Sequence, residues 1–235
     1  MEIEKNIEMI ENCLYLKEKK ILVISDIHLG YEESLNKQGV LIPRFQFKDT
    51  MEKLKSILKK VKPKTAVLNG DIKHEFGRIS ETEWRYIIGL IKLLEEFCKK
   101  IVIVKGNHDV MLKPIAKKRN VELVEFYKVK DLIICHGDKI PKNEDFKKSK
   151  IVVIGHEHPA ISFKHDERVE TYKCFLKGKY KNKTVIAVPS FHVLTIGSDI
   201  RKEKLLSPFL EDILNFEVFV VGKDEILPFG NLKNL

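Results

Sequence analysis

Ile21-Leu22-Val23-Ile24-Ser25-Asp26-Ile27-His28 decides the reading of this chain. Four consecutive apolar residues make a strand buried on both faces, and it runs at once into an acid and an imidazole. The same order recurs downstream. Thr65 to Leu68 leads to Asn69-Gly70-Asp71, and Ile101 to Val104 leads to Gly106-Asn107-His108-Asp109. Leu132 to Cys135 leads to His136-Gly137-Asp138, and Ile151 to Ile154 leads to Gly155-His156-Glu157-His158. Five of the eight histidines lie in these five blocks.

Helical periodicity separates the early strands. Phe47, Met51, Leu54 and Leu58 are spaced four, three and four, predicting a helix over 45–60 that Pro63 stops. Trp84, Ile87, Ile88, Ile91, Leu94 and Cys98 predict a helix over 81–100, with Ser80 and Glu83 at capping-box spacing. A short basic helix is expected over 112–119. Further strands are expected at 13–16, 121–126, 169–175, 184–188 and 216–221. The first half therefore alternates strand and helix, which argues for parallel strands with crossover helices. In such sheets ligands gather at the carboxyl ends of the strands, where the polar blocks stand. With no repeat, low-complexity segment or long Gly/Ser linker, one domain over 1–235 is expected.

Composition narrows the classes. Hydrophobic residues make up 43% of the 235 and charged residues 33%, ordinary for a globular chain. The net charge of +9 favours an anionic partner such as nucleic acid or a phosphate ester, or else a lysine- and glutamate-rich solvated surface. The four cysteines have no C-x-x-C pairing and read as reduced. The acidic first twelve residues lack an apolar signal core, and no apolar run approaches the ~20 residues of a membrane span. A soluble cytoplasmic protein is expected.

A single Asp-x-His is common by chance, and a lone strand-end Asp is usually a turn residue. Five such tips together suit two hard metal ions with a phosphate between them. In an extended segment residues i and i+2 share a face, so Asp26 and His28 can reach one ion, and His156 and His158 have the same spacing with Glu157 turned away. Asp71, a carboxylate with two oxygens, is suited to bridging. Asn107 offers an amide oxygen and His136 another imidazole. Oxygen and imidazole donors without thiolate suit manganese, iron or zinc, with cobalt or nickel able to substitute.

The order D-x-H, G-D, G-N-H-D, H-G-D and G-H-x-H resembles the calcineurin-like metallophosphoesterase superfamily, with all five motifs complete between residues 26 and 158. The wording Ser25-Asp26-Ile27-His28-Leu29-Gly30-Tyr31-Glu32 and Gly70-Asp71-Ile72-Lys73-His74-Glu75-Phe76 is similar to archaeal phosphoesterases related to the SbcD nucleases. Those nucleases carry a further DNA-capping domain for which 235 residues leave little room, and many relatives have Asp or Asn where this chain has His74. The resemblance implies an α/β fold, a four-layer α/β/β/α sandwich of two mixed sheets flanked by helices. It also implies that Asp26, His28, Asp71 and His158 hold one metal, that Asp71, Asn107, His136 and His156 hold the other, and that manganese comes first among the metals.

Two metals ~3.5–4 Å apart can clamp the attacking and leaving oxygens of an in-line displacement and make hydroxide available near neutral pH. His108 is the candidate to serve the leaving alkoxide, with Asp109 orienting its ring. Arg44, His74 and His192 are weaker candidates for substrate contact: Arg44 in a loop able to overhang the site, His74 three residues past Asp71, and His192 in the loop Pro189-Ser190-Phe191-His192. Lysine-rich stretches at 113–119, 142–150 and 173–183 could follow a nucleic-acid backbone, though a solvated face accounts for them better. The leading reading is a dinuclear phosphoesterase acting on mono- or diesters of the nucleotide or nucleic-acid class. One alternative is a nuclease or repair factor working with a partner; another is a metal-stabilised binding scaffold without catalysis. No membrane partner is expected, and a homodimer is compatible with the reading.

Overall fold

The structure is a computed structural model that describes residues 1–109 and 111–235, with His165 described by its backbone alone. In chain order the first half holds β1 (Glu2–Glu4), β2 (Ile7–Ile10), β3 (Cys13–Leu16), β4 (Ile21–Ser25), α1 (Tyr31–Lys37), α2 (Gln46–Val61), β5 (Thr65–Asn69), α3 (Glu81–Phe97), β6 (Lys100–Val104), α4 (Lys113–Arg119) and β7 (Glu122–Val124). Their strands form one sheet in the order β1-β2-β3-β4-β5-β6-β7. It is antiparallel from β1 to β4 and parallel from β4 to β7.

The second half holds β8 (Phe126–Val129), β9 (Leu132–Cys135), α5 (Glu144–Lys148), β10 (Ile151–Ile154), β11 (Pro159–His165), β12 (Arg168–Tyr180), β13 (Lys183–Ala187), β14 (Ser198–Asp199), β15 (Glu217–Val221) and β16 (Ile226–Asn231). These strands make the second sheet, in which β9, β10 and β13 run parallel and the rest pair mainly antiparallel. The fold is α/β with two mixed sheets, as the resemblance implied.

Each apolar run is uninterrupted because its two faces serve different cores. In β4, Ile21 and Val23 enter the core between the sheets, while Leu22 and Ile24 face helices α2 and α3. In β10, Ile151 and Val153 face the same inter-sheet core, while Val152 and Ile154 pack outward against Phe146 of α5 and against Phe209 and Phe216. The outer layer over the second sheet is thus one short helix plus aromatic side chains from the 200–216 segment. The capping box at Ser80 and Glu83 forms with both halves present. Helix α2 ends at Val61, with Lys62 in the left-handed region just before Pro63.

Three readings change. The run 121–126 is two strands: β7 closes the first sheet and β8 opens the second, with Glu125 between them. Residues 2–10 form β1 and β2, with Ile3, Ile7 and Met9 buried between the sheets. The run expected at 169–175 is the first half of a thirteen-residue strand, paired with β11 over 168–173 and with β13 and β15 beyond. Sequence periodicity cannot see which sheet a strand joins, because one register serves either.

Candidate metal centre

The polar blocks meet at one edge of the paired sheets, beyond the carboxyl ends of β4, β5, β6, β9 and β10. Neighbouring loops lock onto one another through the backbone. The Asp26 N–H donates to the Gly70 carbonyl, and those of His28 and Leu29 donate to Asp71 and Ile72. Gly155 donates to the His136 carbonyl. Carboxylates add to this lacing. Both oxygens of Asp26 accept from the His156 N–H at 3.1 and 3.0 Å, and Asp71 Oδ1 accepts from the His108 N–H at 3.0 Å.

The motif glycines have a steric reason. A Cβ at Gly70 would overlap His136 at Nδ1, one at Gly106 would overlap Asp71 at Oδ1, and one at Gly155 would overlap Asp26 at Oδ2. Each glycine of one block therefore makes room for an acid or imidazole of another.

Asp26, His28, Asp71, His156 and His158 all have φ between +45° and +66°. This corrects the extended geometry read from the spacing. Left-handed backbone in non-glycine residues is uncommon and clusters where surrounding structure enforces it. Alternate residues still diverge: Ile27 turns into the helix-side core, and Glu157 is buried, its Oε2 accepting the Leu206 and Ser207 N–H groups at 2.8 Å each. The spacing argument needs a second correction, because the two histidines of the last block separate. His158 joins Asp26 and His28, and His156 joins Asp71 and His136.

The two clusters touch at one oxygen. Asp71 Oδ2 lies 3.8 Å from His28 Nε2 and 3.4 Å from His136 Nε2. On one side His28 Nε2 faces His158 Nε2 at 3.2 Å, and His158 Nε2 is 3.5 Å from Asp26 Oδ1. On the other, His136 Nε2 faces His156 Nδ1 at 3.1 Å and Asn107 Oδ1 at 2.9 Å. Two atoms each ~2.1 Å from one ion stand roughly 3.0–3.4 Å apart at octahedral or tetrahedral angles. Two carboxylates and four imidazoles converging in a largely buried site are costly without a cation to share. The donor set therefore fits divalent ions of the oxygen- and nitrogen-binding kind. Asp26, Asp71 and His136 are 0–2% exposed.

The fields are strong. Burial alone would raise the Asp71 carboxyl, but the hydrogen bond and charge of His136, with His28 adding, hold it well below the usual carboxylate range. Burial works against a protonated His136, yet Asp71 and Asp26 raise it to about 9. Burial, with the charge of His158, drives His28 far down.

His108 borders both clusters, its Nε2 3.8 Å from Asp71 Oδ2, and with His28 and Asp71 it forms a third group of possible donors. Its Nδ1 is hydrogen-bonded to the His74 carbonyl. Asp109 does not orient that ring. It is buried, with one oxygen accepting from Ile72 N–H at 3.0 Å and the other from Gly106 N–H at 3.1 Å. Burial and the Asp71 charge raise its carboxyl to about 7.

Among the weaker candidates, His74 and His192 come to the site. The His192 ring lies 5.9 Å from that of His28, and the Tyr31 ring sits edge-on to both His74 and His192 at 4.8 and 4.9 Å. His192 is fixed from below. Phe191 is fully buried in the helix-side core, which contributes about 1.5–3 kcal/mol, and donates its N–H to the Ser25 carbonyl. Lys173 donates to Ser190 O at 2.8 Å, to Ser190 Oγ at 2.9 Å and to His192 O at 2.5 Å. His192 Nδ1 accepts the Thr195 N–H at 3.0 Å, so a neutral ring carries its proton on Nε2. Burial, with Lys173 nearby, pushes this imidazole down to about 3. Arg44 is exposed in the 38–45 connection, without a hydrogen bond or ion pair to any described residue.

Of the lysine stretches, 173–183 is in part occupied elsewhere: Lys183 is buried on the Ser149 and Lys147 carbonyls, and the half-buried Lys177 donates to the Ile3 carbonyl. Sequence reasoning missed Tyr31, Phe76 and Glu83. Glu83 is buried and accepts the His74 and Glu75 N–H groups at 3.2 and 2.9 Å besides closing its capping box. Its i+3 spacing from Ser80 is the signal that found the cap, but nothing local announced the second role.

The model of the calcineurin-like phosphoesterase family matches residues 19–222. The chain belongs to that family and is a phosphoric ester hydrolase of the metal-dependent kind. Its fold is similar to nuclease MPE of Pseudomonas putida, at 16% identity and a TM-score of 0.66 over 95% of this chain and 94% of that one. It is more distantly similar to the phosphoesterase Yfce of E. coli (12% identity, TM-score 0.39, 88% of this chain and 90% of that one). No curated protein matches the sequence significantly. No helix among the described residues is long and apolar enough to cross a membrane.

Proposed function

We propose that the chain acts, as one domain over 1–235, as a two-metal phosphodiesterase on nucleotide or nucleic-acid esters. The observation that carries the reading is the shared oxygen: Asp71 Oδ2 lies between His28 Nε2 and His136 Nε2, imidazoles of two candidate metal groups. Asp26, His28, Asp71 and His158 would hold one ion, and Asp71, Asn107, His136 and His156 the other, with manganese the first choice. When bound, such a pair supplies Lewis-acid polarisation of the phosphoryl oxygens and an activated water.

The protein side of the reaction follows from the hydrogen bonds. The His74 carbonyl accepts from His108 Nδ1, which fixes the proton on that nitrogen and leaves Nε2 facing the cluster. A protonated His108 then presents an Nε2–H to the leaving oxygen and gives it up as the P–O bond breaks. His192 presents a neutral Nε2–H, suited to holding a phosphoryl oxygen without adding a second charge. The excess of basic residues favours anionic substrates, and the similarity in fold to a protein described as a nuclease favours diesters.

The test is hydrolysis of bis-p-nitrophenyl phosphate, p-nitrophenyl phosphate, cyclic dinucleotides and DNA by protein loaded with each metal in turn, with elemental analysis alongside. Close to two ions per chain and faster diester than monoester hydrolysis are expected. One ion per chain under saturating manganese, or no diesterase activity with any metal, overturns the proposal.

A further inference from the structure

Phe76 is 64% exposed, yet its ring lies 3.6 Å from that of His108 at a tilt of 32°. A phenylalanine held in water beside an acid–base candidate forgoes the stabilisation of burial. Its backbone is braced: Lys73 donates to the Glu75 carbonyl, and Glu83 holds the Glu75 N–H. The ring is therefore presented at the rim, one side against His108 and the rest open.

A second feature lies on the Asn107 side of the same block. A cleft of about 630 Å³ is lined there by Asn107, by Lys105, Lys113, Lys117 and Lys139, and by the acids Glu125 and Asp138, so its lysines outnumber its acids. Glu125 neutralises Lys105 and Lys139, at 2.7 and 3.4 Å. Lys113 and Lys117 are exposed and have no acidic partner among the described residues. The candidate ligand Asn107 and its neighbour His108 thus stand between a cationic cleft and an open aromatic face. Phosphate oxygens suit the first and the flat face of a base suits the second.

We propose that Phe76 is a stacking platform for a nucleobase adjoining the scissile phosphate, with the flanking backbone on Lys113 and Lys117, so that the substrate is single-stranded nucleic acid. The inference rests on the diesterase reading above and names its substrate class. A paired base has its faces covered by neighbours in the duplex; an unpaired one can turn a face to Phe76. Stacking accepts every base, so cleavage is tolerant of sequence.

The experiment compares a single-stranded oligonucleotide with a base-free chain of the same length, both cut by the manganese-loaded protein. The wild type should cut the oligonucleotide with a kcat/KM about 10-fold or more above that of the base-free chain. Phe76→Ala should slow cleavage of the oligonucleotide about 10-fold more than that of the base-free chain and so lose the preference, and Phe76→Trp should keep it. Lys113→Ala with Lys117→Ala should weaken both chains and flatten the salt dependence. Equal slowing of both chains by Phe76→Ala would make the ring a mere prop for His108 and overturn the proposal, as would no preference in the wild type. A wild type that cuts bis-p-nitrophenyl phosphate but neither chain overturns the nucleic-acid substrate alone. One that cuts no phosphate ester overturns the activity itself.

Discussion

The floor of the site and its rim are built by different rules. On the floor, Asp26, Asp71 and His136 are almost wholly buried, and the glycines of neighbouring blocks are shaped around them. On the rim, His74, Phe76 and His108 sit on loops that meet through ring contacts and single hydrogen bonds. Burial makes the floor unforgiving, because an acid there has no water to fall back on. The rim can change without collapse, and so it is where substrate choice can be set.

The largest effect is expected on the floor. Asp71→Asn should cut turnover by more than about 10³-fold and lower the binding of both ions, whereas Asp26→Asn should mainly affect one. Metal content and rate measured together decide it; equal losses in the two variants would break the bridging assignment. Gly106→Ala sharpens the same point without replacing a ligand. Its Cβ would overlap Asp71 Oδ1, so metal affinity should fall about 10–100-fold while the circular-dichroism spectrum stays native.

His108→Ala, on the rim, should keep both metals and lose about 10²–10⁴-fold in rate. The loss should be larger for an alkyl leaving group than for p-nitrophenolate, which departs without a proton. If the variant loses a metal, His108 belongs to the floor and the comparison fails there. Metal removal should also register in stability: manganese at 100 times its dissociation constant stabilises by about 2.7 kcal/mol, read as a drop in Tm on adding chelator. A Tm indifferent to metal would mean that the floor is satisfied without ions.

Smaller effects belong to the supports. Glu157→Ala leaves the Leu206 and Ser207 N–H groups unpaired and should cost about 1–3 kcal/mol in denaturant unfolding, with metal content retained. Arg44→Ala should be the mildest, within about 0.5 kcal/mol in stability and a factor of about 2 in kcat/KM. A tenfold loss would bring Arg44 to the substrate.

The seven proposed ligands were legible because each follows an apolar run whose end is marked by glycine, acid or imidazole; the structure brings all seven together. Tyr31 and Phe76 were illegible because an isolated aromatic carries no periodic signal. Asp109 misled because sequence neighbourhood with His108 suggested contact, whereas backbone N–H groups claim both its oxygens.

By itself the sequence determined the elements with strong period and the kind of chemistry they carry. Ile21–Ile24 and its counterparts had to be buried strands, and the acids and imidazoles at their ends had to converge, since parallel strands present their carboxyl ends together. Tertiary structure alone decided that the chain crosses between sheets at Glu125, that His156 and His158 part company, and that Asp71 stands between the clusters. Those facts depend on left-handed backbone and on the space one block's glycine leaves for another's side chain. Such contacts join residues up to 130 positions apart, beyond the reach of any local pattern.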